Sequence, residues 1–355
     1  MHKKALVILT PAFPANESDE ESIWVPAKQR LIKCINRTYP ELEIIILSFR
    51  FPENRKEYYW GKNLVVPFDA GIKQKGTNWL VWLKVFLKLK KLKKEKNIIG
   101  LLSFWCTECA FVAHYFSKLH NIKHLCWISG QDAKPDNKFV QRIRPDRKEL
   151  VAMSDFLINE FSKNHHIRPA YLIPDAIDPY QFVPNIFIER YIDVIGVGGL
   201  SPLKQYDVFI EIISILKMDI PNIRAYLCGN GSEWERLEDQ VKRLGLESNI
   251  TFTGKISQHA VFTLMQNSKI LLHPSLYEGF GNVCIEALYA GAHVISFIQP
   301  MEQEIPQWHI VSTIKEMTES AKEILQDNKT TFMSVLPFNM NDSAKQFMQI
   351  FLGNG

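Results

Sequence analysis

The sequence lacks several features, and each absence argues against a class of protein. No stretch reaches the ~20 uninterrupted apolar residues that a membrane-spanning helix requires, so a transmembrane protein is not expected. An excess of one charge is missing too: 42 Lys and Arg stand against 38 Asp and Glu, too even a balance for a dedicated nucleic-acid binder. Cysteine is sparse, with six residues scattered at 34, 106, 109, 126, 228 and 284. Cys106 and Cys109 form a C-x-x-C, but no second C-x-x-C or H-x-x-H supplies the other half of a zinc site. The expectation is therefore ordinary half-buried thiols, and neither a metal nor another cofactor. No signal peptide precedes the first apolar run, Ala5–Leu9, so the expected location is the cytoplasm. Apolar residues at 46% and charged residues at 23% leave little room for a long disordered segment.

What is present is alternation. A chain of 355 residues suits two domains of common size, each burying its own core. Short β-rich apolar runs alternate with helical patterns throughout, the signature of parallel sheets with crossover helices, hence an α/β class. The first series is Ala5–Thr10, Leu42–Phe49, Ile98–Phe104, His124–Ser129 and a weaker run at Tyr171–Ile173. A second begins at Tyr191–Gly198 and continues through Ile223–Cys228, Ile250–Thr253, Ile270–His273 and His293–Phe297. Between them, Ile173-Pro-Asp-Ala-Ile-Asp-Pro179 and Pro184-Asn185 carry turn chemistry. This organisation predicts one domain over 1–185 and another over 186–335. The remainder, 336–355, contains a helix at about Ser343–Leu352 able to pack on either domain.

A basic amphipathic stretch runs from Trp79 to Lys96, with Trp79, Trp82 and Phe86 beside Lys84, Lys88, Lys90, Lys91, Lys93, Lys94 and Lys96. Two readings stay open for it. One is peripheral contact with an anionic membrane, on the inner face of the plasma membrane. The other is a crossover helix with its aromatic side on the core and its lysines in water.

The strongest chemical signal lies in Ile270-Leu-Leu-His-Pro-Ser-Leu-Tyr-Glu278-Gly-Phe-Gly-Asn282-Val-Cys-Ile-Glu286-Ala-Leu-Tyr-Ala-Gly291. It reads as a buried strand, a loop whose Gly279 and Gly281 allow close backbone approach, and a helix from about Asn282 to Gly291. Amide groups at such a helix start suit an anion such as a diphosphate. Ile195-Gly-Val-Gly-Gly199-Leu-Ser-Pro-Leu-Lys204 repeats the pattern with Gly198, Gly199 and a lysine near a helix start, a compact charge for a phosphate. Ala225-Tyr-Leu-Cys-Gly229-Asn230-Gly231 is a third strand ending in glycines. Three such ends line the carboxyl edge of one sheet, where open α/β folds bind ligands.

Together these segments resemble the C-terminal domain of the family 4 glycosyltransferases. The match includes an E-x7-E pair at Glu278 and Glu286 and extends to Ser154, Ile173-Pro-Asp-Ala-Ile-Asp178 and Leu244-Gly-Leu246 before Ile250-Thr-Phe-Thr-Gly254. The resemblance implies the GT-B fold, two Rossmann-like domains facing each other across a cleft, and transfer of a sugar from a UDP- or GDP-linked donor with retention of anomeric configuration. The implied acceptor is a hydroxyl of a lipid-linked or oligosaccharide glycan, in cell-surface polysaccharide or glycolipid synthesis.

By the same analogy Lys204 steadies the leaving diphosphate, Glu286 holds the ribose hydroxyls and Glu278 faces the transferred sugar. Gly198, Gly199, Gly229, Asn230, Gly279, Phe280, Gly281 and Asn282 complete the donor-binding set. The chain has no Asp-x-Asp, the metal-bound signature of the other major glycosyltransferase fold, which fits a metal-free reaction.

Two positions depart from the family. Gly199 stands where an arginine is usual, and Ser129 where a histidine is usual. Asp132, or a base supplied by the substrate's own phosphate, then becomes the catalytic candidate on the acceptor side. A cap or loop hydrogen bond is the other reading of Asp132. The loop Thr10-Pro-Ala-Phe-Pro-Ala-Asn-Glu-Ser18 lacks the family's glycine pair. These departures leave two alternatives to the enzyme: a non-catalytic relative binding a sugar nucleotide or a partner glycosyltransferase, and another activity of the fold, such as a sugar-nucleotide epimerase.

Overall fold

The run Ala5-Leu-Val-Ile-Leu9 is apolar at every position rather than at alternate ones, as a parallel strand covered on both faces requires. All five side chains are fully buried. They lie in β1 (Lys4–Ala12), inside an eight-stranded sheet. The other strands of this sheet are β2 (Glu43–Phe51), β3 (Tyr58–Trp60), β4 (Asn63–Pro67), β5 (Asn97–Phe104), β6 (His124–Trp127), β7 (Leu150–Ala152) and β8 (Tyr171–Leu172). The order is β3-β4-β2-β1-β5-β6-β7-β8. Only the β3–β4 pair among these is antiparallel. This is a computed structural model that describes residues 3–16, 26–53, 56–68, 78–182 and 189–353.

Turn chemistry at Pro174-Asp175 falls where the chain leaves the first of two compact units, Met1–Asp175 with Met340–Gly355, for the second, Ala176–Asn339. The expected boundary near 185 lies outside the described residues, and the units part ten residues earlier. Ile177 shows why: its amide donates to the Phe338 carbonyl at 3.1 Å, so 176–178 belong to the second unit. The tail expected as one piece, 336–355, is likewise divided, and its helix Met340–Leu352 belongs to the first unit. There Phe347 packs edge-on against Trp127, with ring centroids 5.2 Å apart. Gly100 of β5 is glycine for the same reason, because a Cβ there would lie 2.2 Å from the Phe351 ring.

The second unit holds a six-stranded parallel sheet in the order β11-β10-β9-β12-β13-β14. Its strands are β9 (Ile192–Val197), β10 (Ala225–Cys228), β11 (Ile250–Gly254), β12 (Ser268–His273), β13 (His293–Ser296) and β14 (Trp308–Ile310). Phe209, Ile210, Ile213, Leu227, Ile270 and Met317 are buried in its core. The chain builds outward from β9 through β10 and β11, then returns to β12 on the other side. That reversal opens a crevice beyond the carboxyl ends of β9 and β12, the place where such sheets accept ligands.

Strands β3, β4, β7 and β14 do not appear in the sequence reading. Three of them have only three residues, too few for periodicity to register. No helix among the described residues is long and apolar enough to cross a membrane. The basic stretch forms the helix Asn78–Glu95, and its aromatics do not share one side. Trp82 and Phe86 pack on the core, whereas Trp79 is 60% exposed.

Candidate active site

Three strand ends meet at the β9–β12 crevice. The β9 loop hooks onto the β10 loop, with the Gly198 amide donating to the Cys228 carbonyl at 2.9 Å and the Leu200 amide to the Asn230 carbonyl at 3.0 Å. Contact this close excludes a side chain: a Cβ on Gly229 would lie 1.8 Å from the Gly198 oxygen, and one on Gly231 2.1 Å from the Leu200 oxygen. Asn230 Oδ1 accepts from the Gly231 amide at 2.7 Å. After Gly199 the chain makes a short 3-10 turn, Pro202–Lys204, and enters the helix Tyr206–Asp219 through Gln205 in the left-handed region.

The β12 loop is tied to that turn. The Leu276 amide and the Ser275 hydroxyl both donate to the Leu203 carbonyl, at 3.1 Å and 3.3 Å. Gly281, with φ of 80°, then starts the helix Asn282–Tyr289. The helix ends two residues before Gly291, whose φ of 88° suits the left-handed turn after a helix. Phe280 is buried and packs on Phe338 at 5.7 Å between centroids.

The effect of these ties is to bring Lys204 and Glu278 together. Lys204 Nζ donates to Glu278 Oε2, and the two side chains keep 21% and 24% exposure, so the pair is neither sealed in nor freely solvated. Burial pushes the Glu278 carboxyl up, but the adjacent His273 imidazole and the Lys204 charge outweigh it and leave the group at about 2. The Glu278 carboxyl is ionised at neutral pH. Glu286, one turn inside the helix Asn282–Tyr289, accepts from Gln258 Nε2 at 3.2 Å.

Three residues of this site escape the motif reading. His273 is the last residue of β12, is fully enclosed, and holds Nε2 at 3.5 Å from Glu278 Oε2. Burial lowers its pKa, so at neutral pH the imidazole is uncharged. Tyr206 is buried, its hydroxyl has no hydrogen-bond partner among the described residues, and it is aimed at the Gly198 backbone, where a Cβ would lie 2.7 Å away. Gln258 supports Glu286. A polar residue closing an otherwise apolar strand was the available signal for His273. Gln258 carries none, because its role depends on the approach of Glu286, and Tyr206 reads as an ordinary first residue of a helix.

Gly198, Gly199, Lys204, Gly229, Asn230, Glu278, Gly279, Phe280, Gly281, Asn282 and Glu286 all belong to these strand ends and the loops and helix start that follow them. Gly199 is not forced by packing, since the nearest atom to a Cβ there would be the Asn230 oxygen at 4.0 Å.

Asp132 belongs to the other unit and has a different environment. It is 2% exposed. Oδ1 accepts from the Cys106 amide at 2.8 Å, and Oδ2 from the Ser129 amide at 2.7 Å and the Ser129 hydroxyl at 3.2 Å. This closes a capping box on the turn Gly130–Ala133. Burial outweighs those donors and raises the carboxyl to about 6. Nearby Lys28, also buried, lies with Nζ 3.2 Å from the centre of the Trp127 ring. Burial lowers it to about 7 against the charges of Asp175 and Asp132.

All six cysteines are free and fully buried rather than half-buried, because each lies in the packed interior. Among the described residues one group has the donors to hold a cation: His114, His124 and Glu149. As it stands, the group forms a hydrogen-bonded cluster, with His114 Nδ1 at 2.7 Å from Glu149 Oε2 and His124 Nε2 at 2.9 Å from Ser103 Oγ. Burial pushes the Glu149 carboxyl up, and the His114 bond with His124 close by pulls it to about 2.

The fold is that of the GT-B glycosyltransferases. The chain superposes on the lipopolysaccharide outer core galactosyltransferase WaaB with a TM-score of 0.69 at 15% identity, covering 99% of this chain and 100% of that one. It superposes on the sucrose-phosphate synthase of Thermosynechococcus elongatus with a TM-score of 0.68 at 16% identity, covering 99% and 97%. Residues 181–331 match the family described as Glycosyl transferases group 1.

An uncharacterized glycosyltransferase of Methanocaldococcus jannaschii is 26% identical over 300 residues, 75% of this chain and 74% of that protein. The 2-deoxystreptamine N-acetyl-D-glucosaminyltransferase of Niallia circulans is 31% identical over 103 residues, 29% of this chain. The chain spans only 26% to 35% of the length of this and two further curated relatives. The family match covers 181–331, and the fold of the whole chain is GT-B.

Proposed function

We propose that the protein is a retaining glycosyltransferase of the family 4 type, moving a sugar from a UDP- or GDP-linked donor to a hydroxyl of a lipid-linked or oligosaccharide acceptor. The expected setting is cell-surface polysaccharide or glycolipid synthesis. The observation that carries this reading is the Lys204–Glu278 pair, tied across two loops at the switch point of the sheet, with Glu286 one turn into the adjoining helix.

Negative charge grows on the diphosphate as its bond to the sugar breaks, and a placed cation with helix-start amides stabilises that charge. Lys204 is that cation, and its engagement with Glu278 keeps it oriented until a diphosphate competes for it. Glu278, ionised well below neutrality, is an acceptor for sugar hydroxyls, and Glu286 one for ribose. Such a set asks nothing of a metal ion. Support for a nucleotide-sugar donor also comes from the neighbour HepE of Anabaena, solved in complex with UDP and glucose, on which the chain superposes with a TM-score of 0.64 at 16% identity.

A second reading has its own observation. With Gly199 in place of an arginine and Asp132 absorbed by backbone donors, a protein that binds a sugar nucleotide without transferring the sugar is the alternative. A thermal-shift panel of UDP, GDP and ADP sugars, followed by product analysis on lipid-linked and oligosaccharide acceptors, separates them. Transfer is expected with one donor, and loss of its stabilising effect in Lys204→Ala and Glu286→Ala. Stabilisation without product on any acceptor would establish the binding protein, and no stabilisation by any donor would sink both.

A further inference from the structure

The helix Asn78–Glu95 is apolar on two sides, and a crossover helix needs only one. Val81, Val85, Leu89 and Leu92 are buried and meet that need. On the opposite side, Trp79 is 60% exposed, Leu83 47% and Leu87 55%, with Leu80 at 40% beside them. Their four-residue spacing sets Trp79, Leu83 and Leu87 in one row along the helix. The outward side then changes character: its later turns present Lys90, Lys91 and Lys94, all exposed.

A second helix, Glu108–His120, widens this face. The two run side by side in the same direction, with Trp82 4.9 Å from Phe111, Phe86 5.1 Å from Phe116 and Lys93 Nζ 3.4 Å from His120 Nδ1. The second helix adds Tyr115 at 46% and Leu119 at 66% exposure, and the exposed Lys118. Among the described residues, acidic groups bond the first helix at two points, Glu57 with Lys88 and Glu95 with Lys91.

An apolar patch bordered by one sign of charge marks a docking surface. Two copies of this chain would gather both sets of lysines into one interface, so charge disfavours self-association. An anionic bilayer satisfies both halves: leucines and tryptophan enter the headgroup–acyl boundary while the lysines meet lipid phosphates. We propose that this two-helix face docks on the surface of an anionic lipid membrane. The inference rests on the first unit's surface alone and stands whether or not the donor site transfers a sugar.

The test is co-sedimentation of the full chain with phosphatidylcholine vesicles, with and without roughly one third phosphatidylglycerol, near physiological ionic strength. Binding to the anionic vesicles is expected to exceed binding to the neutral ones by at least about tenfold, from several lysines worth about fivefold each. Leu83→Glu with Leu87→Glu, and separately Lys90→Glu with Lys94→Glu, should each lower it by at least about tenfold with the melting temperature unchanged. Equal binding to neutral vesicles, no binding to anionic ones, or variants that bind like the parent would overturn the proposal. So would a dimer in sedimentation velocity that Leu83→Glu with Leu87→Glu dissolves, since the face would then belong to a second copy.

Discussion

Each of the two sheets has an acid in the loops beyond its carboxyl edge, and the two acids live under opposite conditions. Asp132 follows β6, is sealed from water, and gives both oxygens to the Cys106 and Ser129 amides and the Ser129 hydroxyl. Glu278 follows β12, stays partly open, and is held by the end of a flexible lysine and a neutral imidazole. Backbone donors cannot leave without unmaking the loop, so the first acid is bound into the fold. A lysine ammonium can exchange its partner for a ligand phosphate, so the second remains open to a ligand. Charge at a strand end is therefore not enough to mark a reactive group; what the charge is bonded to decides.

The sharpest way to break this comparison is to spoil the scaffold of the open acid while leaving the acid intact. Gly229→Ala puts a Cβ 1.8 Å from the Gly198 carbonyl oxygen, where neither loop has a flexible side chain to give way. A loss of more than about 4 kcal/mol in chemical denaturation is expected, the range reserved for backbone collisions and lost cores. A variant as stable as the parent would mean that the β9 and β10 loops do not pack as described.

Next in size is Asp132→Ala. It strips two buried amides of their acceptor, at about 1–3 kcal/mol each, so a loss near 3 kcal/mol in denaturant unfolding is expected. An Asp132→Ala protein of unchanged stability but no activity would reverse the contrast and return Asp132 to the role of base. The conservative Asp132→Asn sharpens the point through pH. With the folded carboxyl at about 6 and its unperturbed value 3.8, the native state holds a proton that the unfolded chain has released between those values. Native stability therefore falls as pH rises through that window. Asp132→Asn should remove that component of the slope in a pH series of melting curves.

For Glu278 the expected change is in rate rather than stability. Lys204→Met keeps the stem and deletes the cation; His273 still neighbours the carboxylate, so the melting temperature should move by only a few degrees. Turnover should fall by about 100-fold or more, the scale of one charge-stabilising donor at a transition state. Equal turnover in the variant and parent would show that the pair is a surface salt bridge with no part in the reaction.

How far the sequence reading reached follows the same division. Glu278, Glu286, Lys204 and the glycines at 198, 229 and 281 could be placed at strand ends because each of the three strand–loop–helix segments carries its own residues close together in sequence. The helix Met340–Leu352 was legible as a helix, but its attachment to the first unit depends on Gly100 leaving room for Phe351, a relation between residues 251 positions apart. Gln258 was missed for the same reason, since it acquires meaning from Glu286, 28 residues later. His273 and Tyr206 lie inside the segments that were read, and what the sequence could not show is that both are buried there. Asp132 was seen but left between two roles. The sequence could not show that the Cys106 amide, 26 residues earlier, would reach it.

The smallest expected effect is also the one that adds to the site. Gly199 lies on the β9 loop with open space around its missing side chain, the nearest atom being the Asn230 oxygen at 4.0 Å, and its φ is not left-handed. A Cβ there meets no steric objection, unlike one at Gly229 or Gly231. An arginine would add a planar, permanently charged donor to the loop that leads into Lys204, matched to a phosphate's paired oxygens. Gly199→Arg should keep the parent's stability and tighten nucleoside-diphosphate binding by about tenfold, a gain of ~1.4 kcal/mol, measured by calorimetric titration with UDP and GDP. The gain should shrink as salt is raised, because the added interaction is between charges in a half-open site. If affinity does not move while the fold is intact, the β9 loop does not face the diphosphate. The open acid would then need a different ligand from the one its lysine suggests.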